Sequence, residues 1–159
     1  MATHLQPPSG QFDGPLHLFP VRVYYEDTDL SGIVYHANYL KWFERARSDM
    51  LRVLGIDQRA ASEAGEGHYA VADLAIRYLA PARLDDDVTI ETRALELGAA
   101  SVRLQQTASK VGGNGSELLA EAQIRVGFVG ADGRPRRQPA AWREAFAQML
   151  APQSAADPA

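Results

Sequence analysis

The chain has 159 residues, a formal net charge of −4 and no cysteine. This length suits one domain with a hydrophobic core, and the lack of cysteine excludes disulfides and thiolate metal sites. The slight acidity argues against a nucleic-acid partner. No apolar run approaches the roughly 18 residues that span a bilayer, and residues 1–15 lack the features of a secretory signal. We therefore expect a cytoplasmic protein that does not insert into a membrane.

The N-terminal part of the chain changes character near residue 17. Residues 1–16 are rich in proline and glycine and poor in apolar side chains, which predicts a flexible arm. From Leu18 the apolar residues alternate with polar ones, as in Val21, Val23 and Tyr25. This period of two predicts a strand, and an acidic turn follows it.

A long amphipathic helix is predicted after the acidic turn, over residues 37–54. Its apolar side chains recur every three or four positions on one face, at Tyr39, Phe43, Ala46, Met50 and Leu54. The glycine at position 55 is a good helix stop. Because the helix carries three large aromatic side chains, we expect it to be central and buried.

Four further strands are predicted beyond a polar segment at residues 57–67. They cover residues 68–80, 87–97, 101–111 and 118–129, and short turns separate them. The turn VGGNGS at residues 111–116 is typical of a hairpin, so the strands should form an antiparallel meander. Residues 139–150 are expected to form a short helix, and residues 151–159 a flexible tail.

These elements predict an α+β fold in a single domain at residues 17–150. One antiparallel sheet of about five strands and one long apolar helix pack well when the sheet wraps around the helix. The outer face and the edges of such a sheet stay open unless another chain covers them. We therefore expect a homodimer or a homotetramer.

Three segments of the sequence resemble the hotdog-fold acyl-CoA thioesterases. They are YYEDTDLSGIVYHANYLKWFERAR at residues 24–47, LGID at 54–57 and YLAPARLDD at 78–86. The group is that of 4-hydroxybenzoyl-CoA thioesterase, and the closer match is the YbgC, or Tol–Pal-associated, acyl-CoA thioesterases. The resemblance covers about residues 19–140, and it implies hydrolysis of an acyl-CoA thioester without a cofactor. One departure is Leu30-Ser31, where smaller residues are more usual before the glycine.

The resemblance implies that Asp29 is the catalytic carboxylate and that His36 supplies a backbone N–H at the start of the helix. A carboxylate just before a helix N-terminus is kept ionised by the local positive potential, and the free N–H groups there suit an oxyanion. Asp29 could attack the thioester or activate a water, and the sequence leaves this choice open. A role for Asp29 as a turn or capping residue is the structural alternative. A side-chain role for His36 is secondary.

Four other residues are candidates for substrate binding. If Asp27 is extended, its side chain shares a face with Asp29, and the pair could split their two pKa values, although a turn-stabilising role is the favoured interpretation. Tyr35 and Asn38 should shape the pocket, and Asn38 suits helix capping equally well. Arg136 lies in a three-arginine cluster that could contact the CoA phosphates, with a solvated loop as the default interpretation.

Two other classes of function compete with an enzyme. Asp27, Asp29 and Ser31 match the first half of a calcium-binding EF-hand loop, but its twelfth position is Asn38, and the preceding segment resembles a strand. We therefore expect no metal site. A non-catalytic acyl-CoA-binding or scaffold protein stays open, because a hotdog fold need not be an enzyme.

Overall fold

The computed structural model describes residues 1–112 and 115–150. Six strands form one antiparallel sheet in the order β1-β2-β4-β5-β6-β3. The strands are β1 Gln11–Asp13, β2 Leu16–Arg22, β3 His68–Tyr78, β4 Asp87–Leu97, β5 Ser101–Gly112 and β6 Gly115–Val129. The helices are α1 His36–Val53, α2 Gln58–Glu63 and α3 Ala140–Ala147, and a 3₁₀ turn covers Tyr25–Asp27.

Helix α1 supplies the centre of the hydrophobic core. Its buried side chains lie three or four positions apart, as the amphipathic pattern predicts, and they pack with buried residues of β4, β5 and β6. The helix residues are Tyr39, Trp42, Phe43, Ala46 and Met50, and the strands contribute Ile90, Leu104 and Ile124. The predicted α+β arrangement of one sheet around one long helix is confirmed.

A buried polar network fixes α1 against the sheet. Gln106 on β5 is fully buried, and its Nε2 donates hydrogen bonds to the Phe43 carbonyl at 3.0 Å and to Thr92 Oγ1 at 2.9 Å. Arg47 Nη1 donates to Gln106 Oε1 at 2.9 Å. The amide nitrogen and the amide oxygen of buried Gln106 are thus both hydrogen-bonded. This side chain ties the middle of α1 to two strands.

The N-terminal hairpin is the main departure from the predicted domain division. Strand β1 pairs with β2, and before it Ser9 Oγ and the Gly10 amide donate to the Asp49 carboxylate of α1 at 2.6 and 2.9 Å. The predicted arm at residues 1–16 was therefore wrong for residues 9–16. Residues 11–13 pair with β2, and Ser9 and Gly10 bind Asp49, which lies about 40 residues away, where no local pattern points to it. The predicted tail at 151–159 lies outside the described residues.

Other predicted boundaries shift by smaller amounts. The first long strand ends at Arg22, since the chain turns into the 3₁₀ turn, and the side chain of Tyr25 is exposed. The sheet has six strands where about five were expected, because β1 adds one. In the predicted turn at 111–116, Gly112 pairs with Gly115, and residues 113–114 lie outside the described part.

Helix α3 closes the core beside the C-terminal half of α1. Its residue Phe146 and the following Met149 are buried, and Leu150 forms a parallel bridge with Ala94 of β4. Within residues 1–112 and 115–150, none of the helices has the length and apolar character that a bilayer crossing requires. The expected cytoplasmic location stays a prediction.

Candidate active site

The acidic turn is a small hairpin that ends where α1 begins. Thr28 bridges to Val34, the Asp29 amide donates to the Ile33 carbonyl at 3.1 Å, and the Gly32 amide donates to the Asp29 carbonyl at 3.0 Å. Gly32 has a φ of +81°, a conformation that favours glycine at the end of a three-residue hairpin loop. The hairpin therefore fixes the backbone of Asp29 just before the helix.

The Asp29 side chain is exposed and keeps one oxygen free. Both of its hydrogen bonds go to Oδ1, from the Ser31 hydroxyl and from the Ser31 amide at 2.8 Å. Oδ2 has no hydrogen-bond partner in the part of the chain that the structure describes. The Ser31 hydroxyl, the Ser31 amide and the nearby His36 lower the pKa of Asp29. The carboxylate is consequently ionised at neutral pH.

The N-terminus of α1 offers free amide donors. Tyr35 is the N-cap residue, and its side chain makes no capping hydrogen bond. Its carbonyl accepts the Asn38 amide at 2.9 Å, whereas the amides of His36 and Ala37 have no acceptor within residues 1–112 and 115–150. Two N–H groups at a helix N-terminus form a natural anion site.

Asp27 has a different environment from Asp29. Its Oδ2 accepts the Tyr24 amide at 2.8 Å, and its Oδ1 accepts the Asn38 side-chain amide at 2.8 Å. It ends the 3₁₀ turn, so the extended geometry considered for it was wrong. Asn38 is largely buried and is the third residue of α1, which makes it a tie to the turn and not the N-cap. Substrate-binding roles for Asp27 and Asn38 stay predictions.

Aromatic side chains surround the first turn of α1. The His36 ring lies 4.6 Å from the Tyr35 ring and 6.1 Å from the Tyr78 ring, centroid to centroid. The Tyr78 hydroxyl donates to the His36 carbonyl at 2.8 Å. The sequence does not predict these contacts of Tyr78, nor those of Ser31 with Asp29, although YLAPARLDD begins with Tyr78.

Arg136 lies far from Asp29 within one chain. Its amide donates to the Phe128 carbonyl, and its guanidinium donates to the Gly65 and Glu66 carbonyls at 2.9 and 3.1 Å. Phe128 pairs with Tyr69 at one end of β3, whereas Tyr78 ends the strand beside His36. At the rise of a β-strand these ends are roughly 30 Å apart. The predicted contact between Arg136 and substrate would therefore require another chain, and it stays a prediction.

The contacts of the acidic turn also bear on the calcium alternative. Asp27 accepts two N–H donors, and Oδ1 of Asp29 accepts two more donors. A calcium ligand must instead turn its oxygen lone pairs toward the ion. In the described ranges no group of three or more histidine, aspartate or glutamate side chains could hold a metal ion. The expected lack of a metal stays a prediction.

One cavity within the described residues lies away from this junction. It has a volume of about 140 Å³ and lies between α1 and β3, where Glu44, Arg47, Leu51 and Val71 line it. Glu44 accepts a hydrogen bond from Ser48 Oγ at 2.9 Å. Neither Asp29 nor His36 lines the cavity, so one chain does not combine the cavity with the Asp29 carboxylate.

The family model of the thioesterase-like superfamily matches residues 23–150. The chain belongs to this superfamily. The matched range includes the Asp29 hairpin, all of α1 and strands β3 to β6.

Curated relatives and solved structures place the chain among the hotdog thioesterases of this superfamily. The YbgC acyl-CoA thioesterase of Haemophilus influenzae is 41% identical over 111 residues, which cover 70% of this chain and 79% of the relative. The Helicobacter pylori YbgC acyl-CoA thioesterase is 34% identical over 134 residues, 81% of this chain and 96% of the relative. The structure of 4-hydroxybenzoyl CoA thioesterase from Pseudomonas sp. strain CBS-3 has a TM-score of 0.74 and 25% identity, covering 82% and 98% of the two chains. The resemblance seen in the sequence is confirmed.

Proposed function

We propose that the chain hydrolyses acyl-CoA thioesters, with Asp29 as its catalytic carboxylate. One observation carries this proposal. Asp29, with a free carboxylate oxygen, precedes a short hairpin strand, and the free amides of His36 and Ala37 follow it. Hydrolysis of a thioester needs both a nucleophile or base and a donor for the developing oxyanion. The relatives named as acyl-CoA thioesterases support the choice of substrate.

The reaction follows from these two groups. Oδ2 of Asp29 attacks the thioester carbonyl carbon or takes a proton from the water that attacks it. The carbonyl oxygen gains negative charge and accepts hydrogen bonds from the α1 amides. The C–S bond then breaks, and the CoA thiolate leaves and takes up a proton. No step requires a metal or an organic cofactor.

A single turnover in ¹⁸O-labelled water can identify Asp29 as the nucleophile, because label in Asp29 arises only by that route. If Asp29 acts as a base, the label enters the product acid directly. If Asp29 is the nucleophile, a mixed anhydride forms, and water attack on its aspartyl carbon leaves the label in Asp29 and an unlabelled oxygen in the acid. Mass spectrometry of both the acid and the Asp29 peptide reads the difference.

We also propose that the complete site is shared between chains of a homodimer or homotetramer. Strand β3 is an eleven-residue sheet edge, and Val71 on it is half exposed. A long apolar edge of this kind is usually covered by another strand. Pairing there would bring a second chain next to Tyr78 and the Asp29 junction.

Short aliphatic, aromatic and carrier-protein-bound acyl groups all stay open as substrates.

Hydrolysis of a panel of acyl-CoA substrates, followed by detection of the free thiol, tests the proposal. Asp29→Asn removes the charge and the basic oxygen but keeps the size, so kcat should fall by at least ~10²-fold, the usual scale for a positioned base. The melting temperature should stay close to that of the wild type. A folded Asp29→Asn protein with near wild-type kcat would overturn the assignment. A wild type that binds acyl-CoA without turnover would instead favour a non-catalytic binding protein.

A further inference from the structure

We propose that Tyr78 is a positioning residue for the oxyanion amides at the start of α1. The inference rests on the proposed thioesterase function, and it assigns a role to a side chain that lies outside the Asp29 hairpin. Its basis is the hydrogen bond from the Tyr78 hydroxyl to the His36 carbonyl, with 2.8 Å between the two oxygens.

The carbonyl that Tyr78 holds belongs to the same peptide group as the Ala37 amide. A hydrogen bond accepted by a peptide oxygen polarises the group and makes its N–H a better donor. It also fixes the plane of the peptide, and with it the direction of the Ala37 N–H. The neighbouring peptide is held in the same way, because the Tyr35 carbonyl accepts the Asn38 amide. Both free amides of the first turn therefore belong to peptides whose carbonyls are engaged.

The position of the Tyr78 ring is itself well defined. It packs edge-on against Tyr39 of α1, with 5.6 Å between ring centroids, and Tyr39 is buried. Strand β3 ends at Tyr78, which pairs with Ala120 of β6. The sheet thus anchors the backbone of Tyr78 from outside the helix turn that its hydroxyl holds. Burial raises the pKa of Tyr78, so the phenol stays protonated and can donate at neutral pH.

The central experiment compares Tyr78→Phe with Tyr69→Phe. Both variants lose one phenol hydroxyl from β3, but that of Tyr69 donates to Gln138 at the opposite end of the strand. We expect Tyr78→Phe to lower kcat for acyl-CoA about tenfold, which is the scale of one neutral hydrogen bond in the barrier. KM should change less than twofold, since the ring packing is kept. Tyr69→Phe should lower the melting temperature and leave kcat unchanged.

The pH dependence of kcat provides a second test, because a Tyr78 side chain that only packs would not alter it. A phenolate cannot donate to the His36 carbonyl, so kcat should fall at high pH as Tyr78 ionises. Replacing Tyr78 with 3-fluorotyrosine, whose phenol ionises at lower pH, should shift that fall to lower pH and keep wild-type kcat at pH 7. This variant retains the ring and the donor, so it also serves if Tyr78→Phe fails to fold.

The outcomes separate this inference from the proposed function. If Asp29→Asn abolishes turnover while Tyr78→Phe keeps wild-type kcat, the inference is overturned and the proposed function stands. An unshifted profile for the fluorinated protein overturns it as well. If the wild type shows no turnover beyond that of Asp29→Asn, the proposed function fails and the inference fails with it.

Discussion

The carboxylate of Asp27 accepts a hydrogen bond from the side-chain amide of Asn38, with 2.8 Å between Oδ1 and Nδ2. This contact joins the 3₁₀ turn to the first turn of α1. It also distinguishes the two aspartates, since within the described residues both oxygens of Asp27 accept hydrogen bonds and Oδ2 of Asp29 accepts none. The acidic turn therefore contains one carboxylate that holds the backbone and another that can react.

The tie between Asp27 and Asn38 should be measurable as a coupling energy. Asn38 is largely buried, so Asn38→Ala should destabilise the fold by about 1–3 kcal/mol. In a cycle with Asp27→Ala, urea unfolding should give a coupling of at least about 0.5 kcal/mol. Asp27→Asn should reduce kcat much less than Asp29→Asn. Additive single-variant losses would show that the two side chains do not interact.

His36→Ala should retain measurable turnover. The substitution removes the ring but keeps the backbone N–H, which is the group proposed to contact the oxyanion. Because the charged form of His36 helps to lower the pKa of Asp29, the acid limb of the kcat profile should shift to higher pH. Ala37→Gly also keeps its backbone N–H and should likewise retain turnover. A loss of turnover as deep as that of Asp29→Asn would assign the His36 ring a direct chemical role.

The buried pair of His17 and Asp49 predicts a loss of stability in mild acid. His17 Nε2 lies 2.9 Å from Asp49 Oδ2, and Nδ1 of His17 is buried without a hydrogen-bond partner among the described residues. The geometry would suit an ion pair, but burial outweighs the effect of Asp49 and lowers the pKa of His17. His17 is therefore neutral in the folded state at neutral pH. The Asp49 carboxylate has a lowered pKa and stays ionised over the same range.

The sign of the effect follows from the lowered pKa of His17. Between a pH of about 6.5 and the lower pKa that His17 has in the folded state, the unfolded chain binds a proton at His17 that the folded chain does not, so stability falls with falling pH by at most about 1.4 kcal/mol per pH unit. His17→Gln keeps an N–H donor without a titrating group, and it should flatten this slope in urea unfolding between pH 7 and 5. The exposed His68, changed to Gln, is the control and should keep the wild-type slope. Equal slopes for wild type and His17→Gln would contradict the argument.

Assembly should depend on the β3 edge. Val71→Arg places a charge on this edge and should shift the protein toward a smaller species in sedimentation at micromolar concentration, with a loss of activity. Val111→Arg is the matched control, because Val111 is more exposed and lies at the hairpin end of β5. It should keep the wild-type assembly. A monodisperse and active wild-type monomer would rule out the proposed shared site.

The sequence predicted most of what depends on local periodicity. Alternating residues identified strands 87–97 and 101–111 almost to the residue, and the three-and-four spacing identified α1. The Asp29 junction could be found because its residues are contiguous. The resemblance then supplied a role that periodicity alone does not give.

Contacts between distant segments could not be predicted in the same way. Asp49 binds Ser9, Gly10 and His17, all more than 30 residues before it in the chain. Tyr78 reaches the His36 carbonyl 42 residues away. Arg136 was taken from a charge cluster, and its contacts are with backbone carbonyls of the loop before β3. In each case the partner is set by sheet topology, which short-range patterns do not specify.

The three-residue loop of the Asp29 hairpin divides into fixed and variable positions. Gly32 is constrained by its positive φ, and Ser31 by its two hydrogen bonds to Asp29. Leu30 is fully exposed, so it can change without disturbing the backbone that carries the carboxylate. In directed evolution, a library at position 30 alone would vary the chemical surface next to the reacting oxygen while it preserves the fold. Substrate preference should therefore be open to selection at this single position.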